Sequence, residues 1–148
     1  VEIQSLVSPT NFGMPRRTAI GVDANRVSLL VAVLEKVCGL RLGSHDVFLN
    51  VAGGVRVTEP AVDLGIVSAM ASSFLDRVIH PGTVVFGEVG LTGEVRGIHQ
   101  MELRIREAER MGVSRCIHPK TQPRETGKSG KIRLVKIRNI RELVENLF

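Results

Sequence analysis

The sequence predicts a single α+β (mixed α/β) domain. Strand-like and helical runs alternate along its whole length in the order β, β, α, β, α, β-hairpin, α, β, β, α. Hydrophobic residues make up 43% and charged residues 24%, which suits one soluble core. No repeat or linker divides residues 1–148, so one domain is expected.

"VEIQSLVSP" opens the chain as a strand, and "RRTAIGV" is a second strand that could pair with it. Asp23 can cap the following helix. Val27, Leu30, Val31, Leu34 and Cys38 then share one face at helical spacing, and Gly39 stops the run. "HDVFLNVAG" is a strand, and Gly53-Gly54 opens a loop. Val62, Ile66, Ala69, Met70 and Phe74 form the buried stripe of a second helix. After the turn His80-Pro81-Gly82, "TVVFGEVGLTGEVRGI" predicts a hairpin broken by Gly90 and Gly93, with Glu88 and Glu94 facing across it. "QMELRIREAERMG" is a helix with Met101, Ile105, Ala108 and Met111 inward and Glu102/Arg106 paired outside. "SRCIHP" and "IRLVKI" are strands flanking the polar loop "KTQPRETGKSGK", and "NIRELVENLF" is a closing amphipathic helix.

Composition narrows the function. No apolar run reaches the roughly 20 residues that span a bilayer. No leader precedes the first strand, so a cytoplasmic protein without membrane contact is expected. The chain begins at Val1 rather than Met, so a processed form or a fragment of a longer chain is expected. Cys38 and Cys116 are isolated and read as buried free thiols. Charge is uneven: residues 96–148 hold 13 Lys and Arg against 6 Asp and Glu, residues 1–95 hold 7 against 9. A basic C-terminal half points to a polyanion. With no Trp or Tyr, single-strand binding by aromatic stacking is disfavoured and phosphate contact is left.

Several motifs fail on inspection. "GKSGK", Gly127–Lys131, imitates a phosphate loop, but Gln122 stands where its first glycine belongs. Glycines 87, 90, 93 and 97 lack dinucleotide-binding spacing. His45, His80, His99 and His118 are scattered, read as surface or turn histidines, and imply no metal site. Arg16, Arg17 and Arg26 are concentrated in "GMPRRTAIGVDANR"; phosphate contact and an inter-subunit or inter-domain ion-pair set are both open there. With Arg115 and Lys120 they form the expected DNA-binding set.

The runs "EPAVDLGIVSAMASSFLDRVI" and "GTVVFGEVGLTGEVRGIHQMELRIREAERMGV" resemble the proteolytic domain of Lon proteases. That resemblance implies a Lon proteolytic-domain-like fold and a Ser–Lys dyad in which a neutral Lys activates the Ser. Here the Ser position carries Asp63 (anchored on Gly65-Ile66) or Ala61 (anchored on Pro60), and the Lys position carries Glu102. Ser68, Ser72 and Ser73 lie further along the helix. The departure implies a domain without catalytic residues. With "VEIQSLVSPTNFGMPRRTAIGVDANRVSLLVAVLEKVCGL" added, the chain resembles the C-terminal Lon-like domain of the RadA (Sms) family of bacterial DNA-repair proteins. In that family a zinc-binding segment and a RecA-like ATPase precede this domain. The resemblance therefore implies ATP, Mg and Zn only in missing N-terminal parts, and no cofactor here. It implies a DNA-dependent ATPase parent, a hexameric ring, DNA as partner, and roles in recombination and branch migration. The other readings are a pure assembly scaffold and a cryptic peptidase using Asp63 with Glu102.

Overall fold

The computed structural model describes residues 1–11, 13–120 and 131–148. Residues 121–130, including most of "GKSGK", lie outside the described residues. Among the described residues eight strands and four α-helices follow one another: β1 (Ile3–Pro9), β2 (Arg17–Ile20), α1 (Ala24–Cys38), β3 (His45–Val51), α2 (Asp63–Leu75), β4 (Thr83–Val85), β5 (Glu88–Val89), β6 (Val95–Arg96), α3 (Met101–Arg110), β7 (Arg115–Pro119), β8 (Arg133–Ile137) and α4 (Ile140–Leu147). The α+β class holds.

β1 and β2 do not pair with each other as the sequence suggested. Both pair with β3, β1 antiparallel and β2 parallel, giving the order β1-β3-β2. In the central strand Val47, Leu49 and Val51 are buried and alternate with half-buried neighbours. A helix between β2 and β3 lets them run parallel, as a crossover must. Asp23 caps α1, its Oδ1 accepting from the Asn25 N–H at 3.0 Å, and Gly39 closes it in the left-handed region at φ 71°.

The predicted hairpin is also rearranged. Its first run divides at Phe86-Gly87: β4 joins the parallel sheet β4-β7-β8, while β5 pairs with β6. Glu88 therefore sits opposite Arg96, not Glu94. Glu94 instead accepts from Thr92, which holds its pKa below the usual carboxylate value. Gly93 turns the tip at φ 84°, and a Cβ there would lie 2.9 Å from Val37 of α1. Its carbonyl accepts from the Ile140 N–H at 2.9 Å, so the turn is fastened to both α1 and α4.

The main core joins α1, α2, α4 and the first sheet through Leu30, Leu34, Leu49, Leu64, Met70, Ile140, Leu143 and Leu147. A smaller cluster beneath α3 contains Ala61, Phe86, Ile105, Ala108 and Cys116. Burial pushes the Cys116 thiol up to about 12, whereas Cys38 is only half-buried, not buried as expected. Met111 was expected inward but is 73% exposed, because α3 ends at Arg110 and the chain turns away there. No helix of the described residues is long and apolar enough to cross a membrane.

Candidate functional site

Pro60 begins a single 3-10 turn, Pro60–Val62, that runs straight into α2. Proline suits that position because its missing N–H is not needed there. Asp63 is the first residue of α2 and is 1% exposed. Both of its oxygens are engaged. Oδ1 accepts from Arg26 Nε at 2.9 Å, and Oδ2 accepts from Arg26 Nη2 and from the Val89 N–H at 3.0 Å. Arg26 Nη2 also donates to the Val89 carbonyl at 3.1 Å. The hydrogen bond to Asp63 raises the Arg26 pKa above its ordinary value. This two-pronged pair ties α1, α2 and β5 together, and the helix N-terminus favours the carboxylate further.

Beside it lies a cleft of about 760 Å³ between the 3-10 turn, the start of α3 and the ends of β7 and β8. Ala61 and Glu102 both line it, and Asp63 does not. So Asp63 and Glu102 are not brought together. Glu59 at the rim is ion-paired with Arg104, and Glu102 reaches Arg106 at 3.9 Å. Glu88, Lys120 and Lys136 also face the cleft. Among the described residues lining it there is no Ser, Thr or Cys. The serines of α2 are used elsewhere: Ser68 donates to Leu64 O at 2.7 Å, Ser72 to Arg77 O at 2.6 Å, and Ser73 accepts from the Val7 N–H at 2.9 Å.

His118 corrects the reading of the histidines as surface or turn residues. It is 2% exposed, in β7, with its ring stacked on Phe86 at 6.1 Å between centroids. Nδ1 lies 3.0 Å from the Pro119 carbonyl, which can only accept, so Nδ1 carries the proton. Nε2 has no partner. Burial, then the charge of Lys136, lowers the His118 pKa. A single histidine in a short strand gives no sequence signal for this; only the pairing of β7 between two neighbours buries it.

The five cations expected to hold DNA have separate fates. Arg26 is occupied by Asp63. Arg17 donates through Nη1 to His45 O and through Nη2 to Leu42 O at 3.2 Å, pinning the turn before β3. Arg115 donates to the carbonyls of Asn146 and, at 3.0 Å, Leu147, capping the end of α4. Arg16 and Lys120 are exposed. The sequence set omitted β8 and its flanks, where Lys131, Arg133, Lys136 and Arg138 are exposed along an edge strand. None of them, nor Lys120, forms a salt bridge among the described residues. The spacing "KIRLVKIR" was a legible signal for that row. Among the described residues no group of three or more His, Cys, Asp or Glu side chains could hold a metal ion.

Comparison with known proteins agrees with this architecture. Residues 36–147 match the family described as the Lon protease (S16) C-terminal proteolytic domain. The chain is 56% identical over 119 residues, 80% of its length, to DNA repair protein RadA of Halalkalibacterium halodurans. It is 51% identical over 142 residues, 96% of its length, to DNA repair protein RadA of Bacillus subtilis. The Synechocystis protein of the same name is 46% identical over 138 residues, 93% of the chain. The matched regions span 26%, 31% and 27% of those relatives.

Proposed function

The chain belongs to the Lon protease C-terminal proteolytic domain family, and from that premise we propose that it is a non-catalytic Lon-like module of a DNA-repair protein. In this reading it acts as a ring-forming scaffold that contacts DNA phosphates during recombination and branch migration. The relatives' name, DNA repair protein RadA, supports the setting. A RecA-like ATPase outside this chain would supply the ATP hydrolysis, in the cytoplasm.

The loss of peptidase activity rests on one observation: Asp63 is buried against Arg26, and no hydroxyl or thiol nucleophile lines the cleft among its described residues. A dyad without its nucleophile loses several orders of magnitude in rate. Casein and short-peptide cleavage should stay at background; cleavage abolished by Glu102→Ala would refute this.

DNA contact is supported by the cations along edge strand β8, which form no salt bridge among the described residues. Arg133 and Arg138, with Arg16, are the residues proposed to touch phosphates; Lys120 and Lys136 extend the row toward the cleft. Phosphate contact predicts a log–log salt slope of about −0.9 per phosphate neutralised. Arg133→Ala with Arg138→Ala should weaken binding uniformly across sequences and reduce that slope by roughly one to two units. A salt titration with fluorescent duplex DNA measures both. No binding at low salt would leave the pure scaffold.

Ring formation is supported by an apolar groove of about 1020 Å³ bordered by β1, α2, β4 and α3, where Val78 and Met111 are exposed. A head-to-tail contact repeated around a closed axis would cover it. Sedimentation over a wide concentration range tests this, and a strict monomer at every concentration would refute it.

A further inference from the structure

Two surfaces carry large apolar side chains into solvent, and their shapes are opposite. One is the groove bordered by β1, α2, β4 and α3, with Val78 and Met111 exposed. The other is the tip of the β5–β6 hairpin, where Leu91 is 69% exposed. That tip is firmly held. The Gly93 N–H donates to Gly90 O at 3.0 Å, Gly93 O accepts from the Ile140 N–H, and Gly93 packs on Val37. A leucine on a turn so fixed needs little further ordering to bind. The charges of the two surfaces are opposite as well. Lys36 adjoins Val37, Arg141 Nε donates to Val37 O at 2.8 Å, and Arg138 O accepts from the Val95 N–H at 2.8 Å. These three exposed cations form no salt bridge among the described residues, and they make a basic collar around the tip. The groove instead has Glu2, Asp76 and Glu107 exposed on its lining. Glu107 reaches Arg110 at 3.3 Å, an exposed pair worth little. The two arginines of the lining are engaged, Arg104 by Glu59 and Arg77 over the Phe148 ring.

We propose that the hairpin tip of one copy of this chain seats in the groove of the next, with Leu91 as the buried anchor. The proposal rests on the ring reading above and names the two faces that meet in it. Tip and groove are separate patches. α4 meets the tip through Ile140 in its first turn and the groove through Leu147 at its other end. At 1.5 Å per residue those two positions are about 10 Å apart. α1, which holds the tip through Val37, lines no part of the groove. Contact between two different patches is head-to-tail, so each copy can bind one neighbour on either side until the series closes. An apolar anchor inside a charged rim is also the usual build of an interface. A tip that met its own image would set the basic collar against itself, and like charges oppose that pairing. A small apolar ligand would fill the groove but leave Leu91 and its collar in water.

The experiment is sedimentation velocity over a wide concentration range with three proteins. They are the wild type, a tip variant, Leu91→Ser, and a groove variant, Val78→Arg with Met111→Arg. The groove variant puts two cations where the basic collar would sit. All three positions are exposed, so the fold should persist, with circular dichroism as the control. Each variant alone should associate at least about tenfold more weakly than the wild type, as the loss of an interface anchor does. Mixing the two variants should restore a single contact, because one keeps its groove and the other its tip. The mixture should therefore form one-to-one pairs that grow no further. Added salt should weaken wild-type association, since the facing rims attract. A wild type that stays monomeric at every concentration overturns the ring reading and this proposal with it. A wild type that associates while Leu91→Ser associates equally well overturns this proposal alone, and assigns the groove to another partner or another face. A mixture without pairs does the same, and so does association that salt leaves unchanged or strengthens.

Discussion

Asp63 and Glu102 each stand in the first turn of a helix and carry the same charge, yet their surroundings are opposite. Asp63 is 1% exposed and spends both oxygens on Arg26 and the Val89 N–H. Glu102 has a side chain 61% exposed, and its ion partner is a long 3.9 Å away. One carboxylate has become part of the framework; the other rests at the edge of an open cleft. A charge taken into a protein interior must be matched group for group, whereas a charge left in water is matched by solvent. The comparison teaches that likeness of position and charge does not make likeness of role.

The largest expected effect lies on the buried side. Asp63→Ala leaves the Arg26 guanidinium and the Val89 N–H without their acceptor and should cost about 3 kcal/mol in urea unfolding. Adding Arg26→Met should recover part of the loss, since removing both charges is far cheaper than removing one. Strict additivity of the two changes would break the account. Arg115→Ala comes next. Its guanidinium caps two carbonyls at the end of α4, so its loss should cost about 1–2 kcal/mol and lower Tm. A change within error would mean that water caps α4 equally well.

A smaller effect concerns His118. Its folded pKa lies below the ordinary 6.5, because burial and Lys136 oppose its charge. The unfolded chain therefore takes up the proton first as pH falls. Stability contributed by this group is complete above about 6.5 and declines through the window between that value and the lower folded pKa. His118→Leu should flatten the urea midpoint across that window; an unchanged slope would show that another group sets it. The smallest effect should be that of Glu102→Ala, within about 0.5 kcal/mol of the parent, as for exposed pairs generally. A loss comparable to that of Asp63→Ala would erase the contrast on which the comparison rests.

The sequence made many elements legible because their signals are local. The α1 stripe and its caps, Asp23 and Gly39, lie within one segment and depend only on helical spacing and backbone geometry. The same holds for the inward residues Ile105 and Ala108 of α3 and for the Glu102–Arg106 pair. The basic residues of β8 are equally visible in "KIRLVKIR", although the cluster at Arg16, Arg17 and Arg26 is denser.

The sequence by itself thus determined the class, the helical faces, the loss of Ser and Lys from the resembling positions, and the uneven charge. Tertiary structure alone decided partners. It placed β3 between β1 and β2, separated β4 from β5, and put Arg96 rather than Glu94 opposite Glu88. It spent Arg17, Arg26 and Arg115 on internal acceptors and buried His118 beneath a cleft. The physical reason is range. Propensity, capping and periodicity act over a few neighbouring residues. Arg26 and Asp63 lie 37 residues apart, and Arg115 and Leu147 lie 32 apart. Whether an arginine faces water or a carboxylate is fixed only when the sheets and helices have packed.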